Sequence, residues 1–199
     1  MKGILVALVT LVSSILVSAA SASIMVLQEP MPTVGVPGGT TWKVTLVSDN
    51  PNEIIYGVDA RFSGTLGQVR GGPITSTPFQ DSNAFFDFIG ADVSQDSQFL
   101  FQTNQLNPPP LAVVDTEAEL GAAITNLPGA TGGDGLSIPL AQLAIGPGGT
   151  RVYYRLEIDV RDPSGRSLRL DILESTPEPS SLCLTVLAGS GLCFRRRRS

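Results

Sequence analysis

Histidine is absent from this chain of 199 residues, and the cysteines number two, Cys183 and Cys193. Without histidine there are no imidazole bases and none of the usual nitrogen ligands of zinc. Both thiols sit inside one apolar run near the C-terminus, so the body of the chain has neither a thiolate nucleophile nor a disulfide framework. Ten residues apart on a helix, they would lie roughly 15 Å from each other, too far to bridge. Charge is scarce as well, at 16% of residues. It is also unevenly placed: Lys2 and Arg195 to Arg198 lie in the terminal segments, while every acid lies between Glu29 and Glu178. Leaving out those five basic residues, the chain carries 8 basic and 18 acidic groups, a net charge of −10. Such a surface repels the phosphates of nucleic acids and anionic lipid, which excludes nucleic acid as a partner.

What is present is most specific at the two ends. MKGILVALVTLVSSILVSAASAS has Lys2, an apolar stretch from Ile4 to Val17 and then small residues. Ala20-Ser21-Ala22 fits the pattern read by signal peptidase, with cleavage expected between Ala22 and Ser23. Residues 1–22 are therefore expected to be a signal helix; an uncleaved anchor is the alternative.

At the other end stands TPEPSSLCLTVLAGSGLCFRRRRS. Ser180 to Phe194 would span about 22 Å as a helix, short for a hydrocarbon core of about 30 Å but able to insert with local thinning and snorkelling arginines. Arg195, Arg196, Arg197 and Arg198 would then stop on the cytoplasmic side. Glu178 lies between Pro177 and Pro179, which favour an extended linker at the membrane surface.

This order of parts resembles the PEP-CTERM sorting signal, in Pro177-Glu178-Pro179, the apolar 180–194 and the arginines 195–198. Thr176 stands where that family more often has valine. The resemblance implies recognition by the membrane enzyme exosortase, removal of the tail and delivery of the body to the cell surface or extracellular matrix, often alongside exopolysaccharide. Residues 176–199 are assigned to this signal and residues 23–175 to the body.

The body reads as β-structure. In RVYYRLEIDVRD, Val152, Tyr154, Leu156, Ile158 and Val160 fall on one face and charged residues on the other, the period of a half-buried strand. Asp162-Pro163-Ser164-Gly165 reads as a turn into SLRLDIL, which places Leu168, Leu170 and Ile172 on one side of a hairpin partner. EIIYGVDARF predicts a strand with Ile54, Tyr56, Val58, Ala60 and Phe62 inward, and TTWKVTLVS one with Trp42, Val44 and Leu46 inward. IMVLQE, AFFDFIG, SQFLFQ and LSIPLAQLAI predict weaker strands. TEAELGAAI has helical character, with Thr116 and Glu119 in capping-box positions. The expectation is an all-β, antiparallel sandwich, either jelly-roll or cohesin-like. TLVSDNPNEIIYGVDARFSG bears a diffuse resemblance to cohesin sequences, too diffuse to carry binding residues over.

Site chemistry in the body is sparse. Asp92 and Asp96 alternate with other oxygen side chains as in a calcium loop, but Ser97 and Thr103 replace the glycine and glutamate such a loop needs. Asp81 and Asp87 could join a less regular oxygen site. Glu117 and Glu119 would be the pair for carboxylate-dependent glycoside hydrolysis. Gly132-Gly133-Asp134-Gly135 and Gly146-Pro147-Gly148-Gly149 lack the lysine of a phosphate loop and read as hairpin connections. Tyr153 is the candidate for outward ligand contact, its neighbours Val152 and Tyr154 facing the other way, whereas Phe85, Phe86, Phe88, Phe99 and Phe101 read as core. No cofactor and no metal is expected. The chain is read as an exported, noncatalytic surface or matrix protein, with a carbohydrate- or protein-binding module as the alternative and a polysaccharide-active enzyme third.

Overall fold

The computed structural model describes residues 24–50, 52, 54–71, 74–75, 77–127, 137–149, 151–161 and 164–176. The signal segment with Ala20, Ala22 and Ser23, the Gly132–Gly135 turn and the tail from Pro177 to Arg198 lie outside them. Among the described residues no helix is long and apolar enough to cross a membrane.

The elements follow in the order β1 (Ile24–Pro32), β2 (Thr40–Ser48), β3 (Ile54–Ser63), β4 (Arg70–Gly71), β5 (Ile74–Thr75), α1 (Asn83–Ile89), β6 (Gln98–Phe99), β7 (Leu111–Asp115), β8 (Glu119–Thr125), β9 (Ser137–Ile145), β10 (Tyr153–Arg161) and β11 (Ser167–Ser175). One antiparallel sheet has the order β1-β2-β9-β6 and the other β11-β10-β3-β8-β7, while β4 and β5 form a small separate ribbon. The inner faces of the two sheets share one apolar core, so the chain is an all-β sandwich.

Periodicity explains most of this. Val152, Tyr154, Leu156, Ile158 and Val160 are all buried, as are Trp42, Val44 and Leu46. β10 pairs with β11 as the expected hairpin. Leu170 and Ile172 are only half-buried and Leu168 is exposed, because β11 is an edge strand that no strand flanks on its far side among the described residues. Phe62 of β3 ties the layers together: its ring lies 6.1 Å from Phe99 of the opposite sheet and 5.8 Å from Tyr154. Phe79 stacks on Phe99 at 5.6 Å.

Several expectations are corrected. In β3 only Val58, Ala60 and Phe62 keep the inward phase. A bulge sets Gly57 opposite Asp159 but Ile55 opposite Val160, so Ile55 enters the core in place of Ile54 and Tyr56. Tyr56 instead lies under the Arg161 guanidinium, 3.4 Å from its ring centre. TEAELGAAI is not helical. The Thr116 hydroxyl accepts from Glu119 N at 2.9 Å and Thr116 N donates to Glu119 O at 2.8 Å, closing the turn into β8. Leu120, Ala122 and Ile124 then alternate into the core. AFFDFIG forms α1, not a strand, and SQFLFQ contributes only the short β6. Gly146-Pro147-Gly148-Gly149 joins β9 to β10, which belong to different sheets, so it is a crossover and not a hairpin.

The last described residue is also held by the sandwich. Thr176 is fully buried, its N–H donates to Val152 O at 2.8 Å, and its Oγ1 accepts from Val152 N at 3.0 Å.

Because Phe62 bridges the layers, Phe62→Ala is expected to cost about 3–5 kcal/mol of stability. Urea unfolding of the mutant beside wild type measures this, and a midpoint unchanged from wild type would contradict the bridging role.

Candidate surface site

The outward residues of β3, β10 and β11 form a continuous face. Strand register places Tyr153 between Ser63 and Ser175, and Arg155 between Arg61 and Leu173. Tyr153 is 60% exposed and Leu173 71%. These six residues line an open depression of about 460 Å³. Its lining includes the Tyr153 phenol ring, the Leu173 isobutyl group and the two guanidinium groups.

Acids neutralise those guanidinium groups. Arg61 lies 3.3 Å from Asp59 and 3.5 Å from Glu119, and Arg155 lies 2.8 Å from Glu157 and 3.1 Å from Asp171. Arg169 also pairs with Glu157. Exposed pairs of this kind are each worth about 1 kcal/mol or less, and salt screens them. They orient planar donors beside Tyr153 without building a strong anion site. The chemistry suits a neutral ligand with a flat apolar face and hydroxyl or amide edges.

Directly beneath, Tyr154 fixes the strand that carries Tyr153. Its hydroxyl donates to Glu174 Oε2 at 2.7 Å and accepts from Gln28 Nε2 at 2.7 Å, linking β10 to the edge strands of both sheets. Burial, and then the Glu174 carboxylate, push this phenol well above the usual tyrosine range, so it remains a neutral donor.

Asp92 and Asp96 each accept a hydrogen bond from a backbone N–H. Asp92 caps the short 3-10 turn Val93–Gln95, accepting from Ser94 N at 2.8 Å. Hydrogen bonds from the Ser94 side chain and then its backbone hold the carboxyl below its ordinary value. Asp96 is fully buried and accepts from Val69 N at 2.7 Å. Both belong to a segment laid over the outer face of the four-stranded sheet. There Thr41 Oγ1 donates to Ser94 O at 2.6 Å, Gln142 Nε2 donates to Asp96 O at 2.8 Å, and Ser97 Oγ accepts from Ala144 N at 2.9 Å. Among the described residues no group of three or more acids or cysteines is placed to hold a metal.

The other candidates are scattered. Asp81 Oδ2 accepts from Thr103 N at 2.8 Å. Asp87 and Glu117 are exposed, and Glu119 is the Arg61 partner. Phe86, Phe99 and Phe101 are core, but Phe88 is 85% exposed, because the helical turn of α1 rotates it away from Phe86. Leu173 and Arg61 were not singled out by sequence. Leu173 could have been, as an apolar side chain out of phase with Leu168, Leu170 and Ile172. Arg61 depends on register, which periodicity does not contain.

Compared with known proteins, the chain matches no family model, no curated protein and no solved structure.

Asp96→Ala leaves the buried Val69 N–H without its acceptor and is expected to cost about 1–3 kcal/mol by chemical denaturation. Asp92 gives a separate pH signature. Its folded-state pKa is depressed, so its stabilisation is complete above the unfolded-state value of about 4 and is lost as pH falls through the folded-state value. Asp92→Ala should therefore flatten the fall in melting temperature below about pH 4; an unaltered acid limb would count against the cap.

Proposed function

We propose that this chain is an exported, noncatalytic surface or matrix protein, processed by signal peptidase and sorted through its tail by an exosortase-type enzyme. The observation that carries the reading is the placement of the folded sandwich between the two sorting segments. β1 opens at Ile24, one residue after the expected cleavage at Ala22–Ser23. The Thr176 bonds to Val152 sit immediately before Pro177-Glu178-Pro179. Both terminal segments can thus be removed without cutting a described strand. In finer topology a jelly roll is our first reading and a cohesin-like sandwich the alternative; the changes of sheet between β2 and β3 and again between β8, β9 and β10 are compatible with either.

A second reading, a binding module for exopolysaccharide or protein, is favoured by the exposed Tyr153 and Leu173 beside Arg61 and Arg155. A sugar ring could stack on Tyr153 while the guanidinium and serine groups meet its hydroxyls. The two readings are compatible, since a surface protein can hold matrix polymer through this face.

Intact masses of the protein recovered from cell fractions test the first reading. The expected surface form begins at Ser23 and lacks the residues beyond about Glu178. Pro177→Ala with Pro179→Ala should block the second cut and leave export intact. A full-length tail on the surface form, or normal processing of the double mutant, would overturn the sorting assignment. For the second reading, Tyr153→Ala should weaken retention on the producing cell's own polysaccharide by about tenfold or more without lowering stability. Equal retention of the folded mutant would remove Tyr153 from the site.

A further inference from the structure

The four edges of the two sandwich sheets are built very differently. β1 carries Pro30 and Pro32, which cannot donate to a further strand. β6 is only the pair Gln98–Phe99. β7 is broken by a register shift between Leu111 and Val114, with Ala112 at φ +50°. These are the devices by which sheets protect an edge from pairing with another chain. β11 has no proline, truncation or register break, although it carries the charged Arg169, Asp171 and Glu174. It is a nine-residue strand, SLRLDILES, without lysine, and its far side has no neighbour in the sheet among the described residues.

Its side chains also complement themselves when the strand is reversed. An antiparallel pair of two β11 strands centred on Leu170 sets Leu170 against Leu170, Leu168 against Ile172 and Arg169 against Asp171. One step before the strand, Arg166 comes opposite Glu174. Unlike charges therefore meet on both faces, and the half-open apolar residues of the inner face meet each other. Centring on Asp171 would oppose two aspartates, and centring on Arg169 would oppose two arginines. Directly opposed like charges destabilise a sheet pair, whereas apolar and unlike-charge pairs stabilise it. Leu168 is 45% exposed, and Leu170 and Ile172 remain half-buried at the open side of the core, so a further strand would cover apolar surface already on display.

We propose that β11 is a self-association edge: two copies of this chain pair antiparallel through β11 about a two-fold axis at Leu170, joining their five-stranded sheets into one continuous sheet of ten. The contact is isologous, so it closes at two copies. It leaves the outward face bearing Tyr153 accessible on both copies.

Sedimentation velocity of the protein as purified from producing cells, in mild detergent, tests this directly. The expected species is a dimer, and Leu170→Lys, which sets two ammonium groups against each other at the axis, should raise its dissociation constant at least about tenfold. Self-crosslinking tests the register in a background carrying Cys183→Ser and Cys193→Ser. Leu170→Cys should give a covalent dimer on mild oxidation. Leu168→Cys and Ile172→Cys should not, because each would lie about 13 Å from its own counterpart. Wild-type monomer at tens of micromolar, a dimer indifferent to Leu170→Lys, or crosslinking at 168 or 172 in place of 170 would overturn the proposal. Should the variants fold poorly, amide exchange of wild type decides: the amides of β11 that face away from β10 must exchange more slowly as concentration rises, and concentration-independent exchange would refute the pairing.

Discussion

The contact between two inner faces carries this fold. With histidine absent and both cysteines confined to the tail, no disulfide or histidine-bound metal reinforces the described body, and the sheets are held by the apolar side chains between them. Phe62, Phe99 and Tyr154 stand where that layer crosses from one sheet to the other. The requirement that these residues face inward sets the phase of β3, β6 and β10. Everything on the outer faces, including Tyr153, inherits its position from that phase. At 199 residues the chain is long enough for one such core to suffice.

The two outer faces are used differently. On the four-stranded sheet, the segment around Asp92 to Gln98 lies over β9 and satisfies the backbone through side chains, so Thr41, Asp96, Ser97 and Gln142 are buried although polar. Such a layer is stable only when its members find partners, which gives these oxygen-rich residues a structural role. Among the described residues the five-stranded sheet has no such cover over Tyr153, Arg155 and Leu173. Its outer side chains reach solvent, and that exposure makes this face the candidate for recognition.

The strands with strict alternation were legible in sequence: β2, β10 and the β10–β11 hairpin follow from period two alone. β3 was half legible, because a single bulge at Tyr56 reverses the phase at one end, and its one mark in EIIYG is the lone strand glycine Gly57, which period-two reading passes over. TEAELGAAI misled because a threonine followed three residues later by glutamate can cap a helix or close a tight turn. The strand pairing of Leu120, Ala122 and Ile124 decided between them. Tyr153 was found from its own strand, whereas Arg61 and Ser63 join it only through register with a strand about ninety residues earlier. Which residues share a sheet surface is a property of pairing, and period-two reading stops at the single strand.

The two bonds between Thr176 and Val152 also make a mechanical junction. A pull on the chain beyond Thr176 reaches the folded domain first at these bonds, and then at the β10–β11 ladder, whose register is unbroken from Tyr153–Ser175 to Arg161–Ser167. Drawn along the strand axis, that ladder shares the load among all its rungs at once. Drawn outward from the sheet, it opens one rung at a time, beginning at the clamp. The direction in which the domain is tugged thus sets its resistance to force, with Thr176 as the first link to bear the strain.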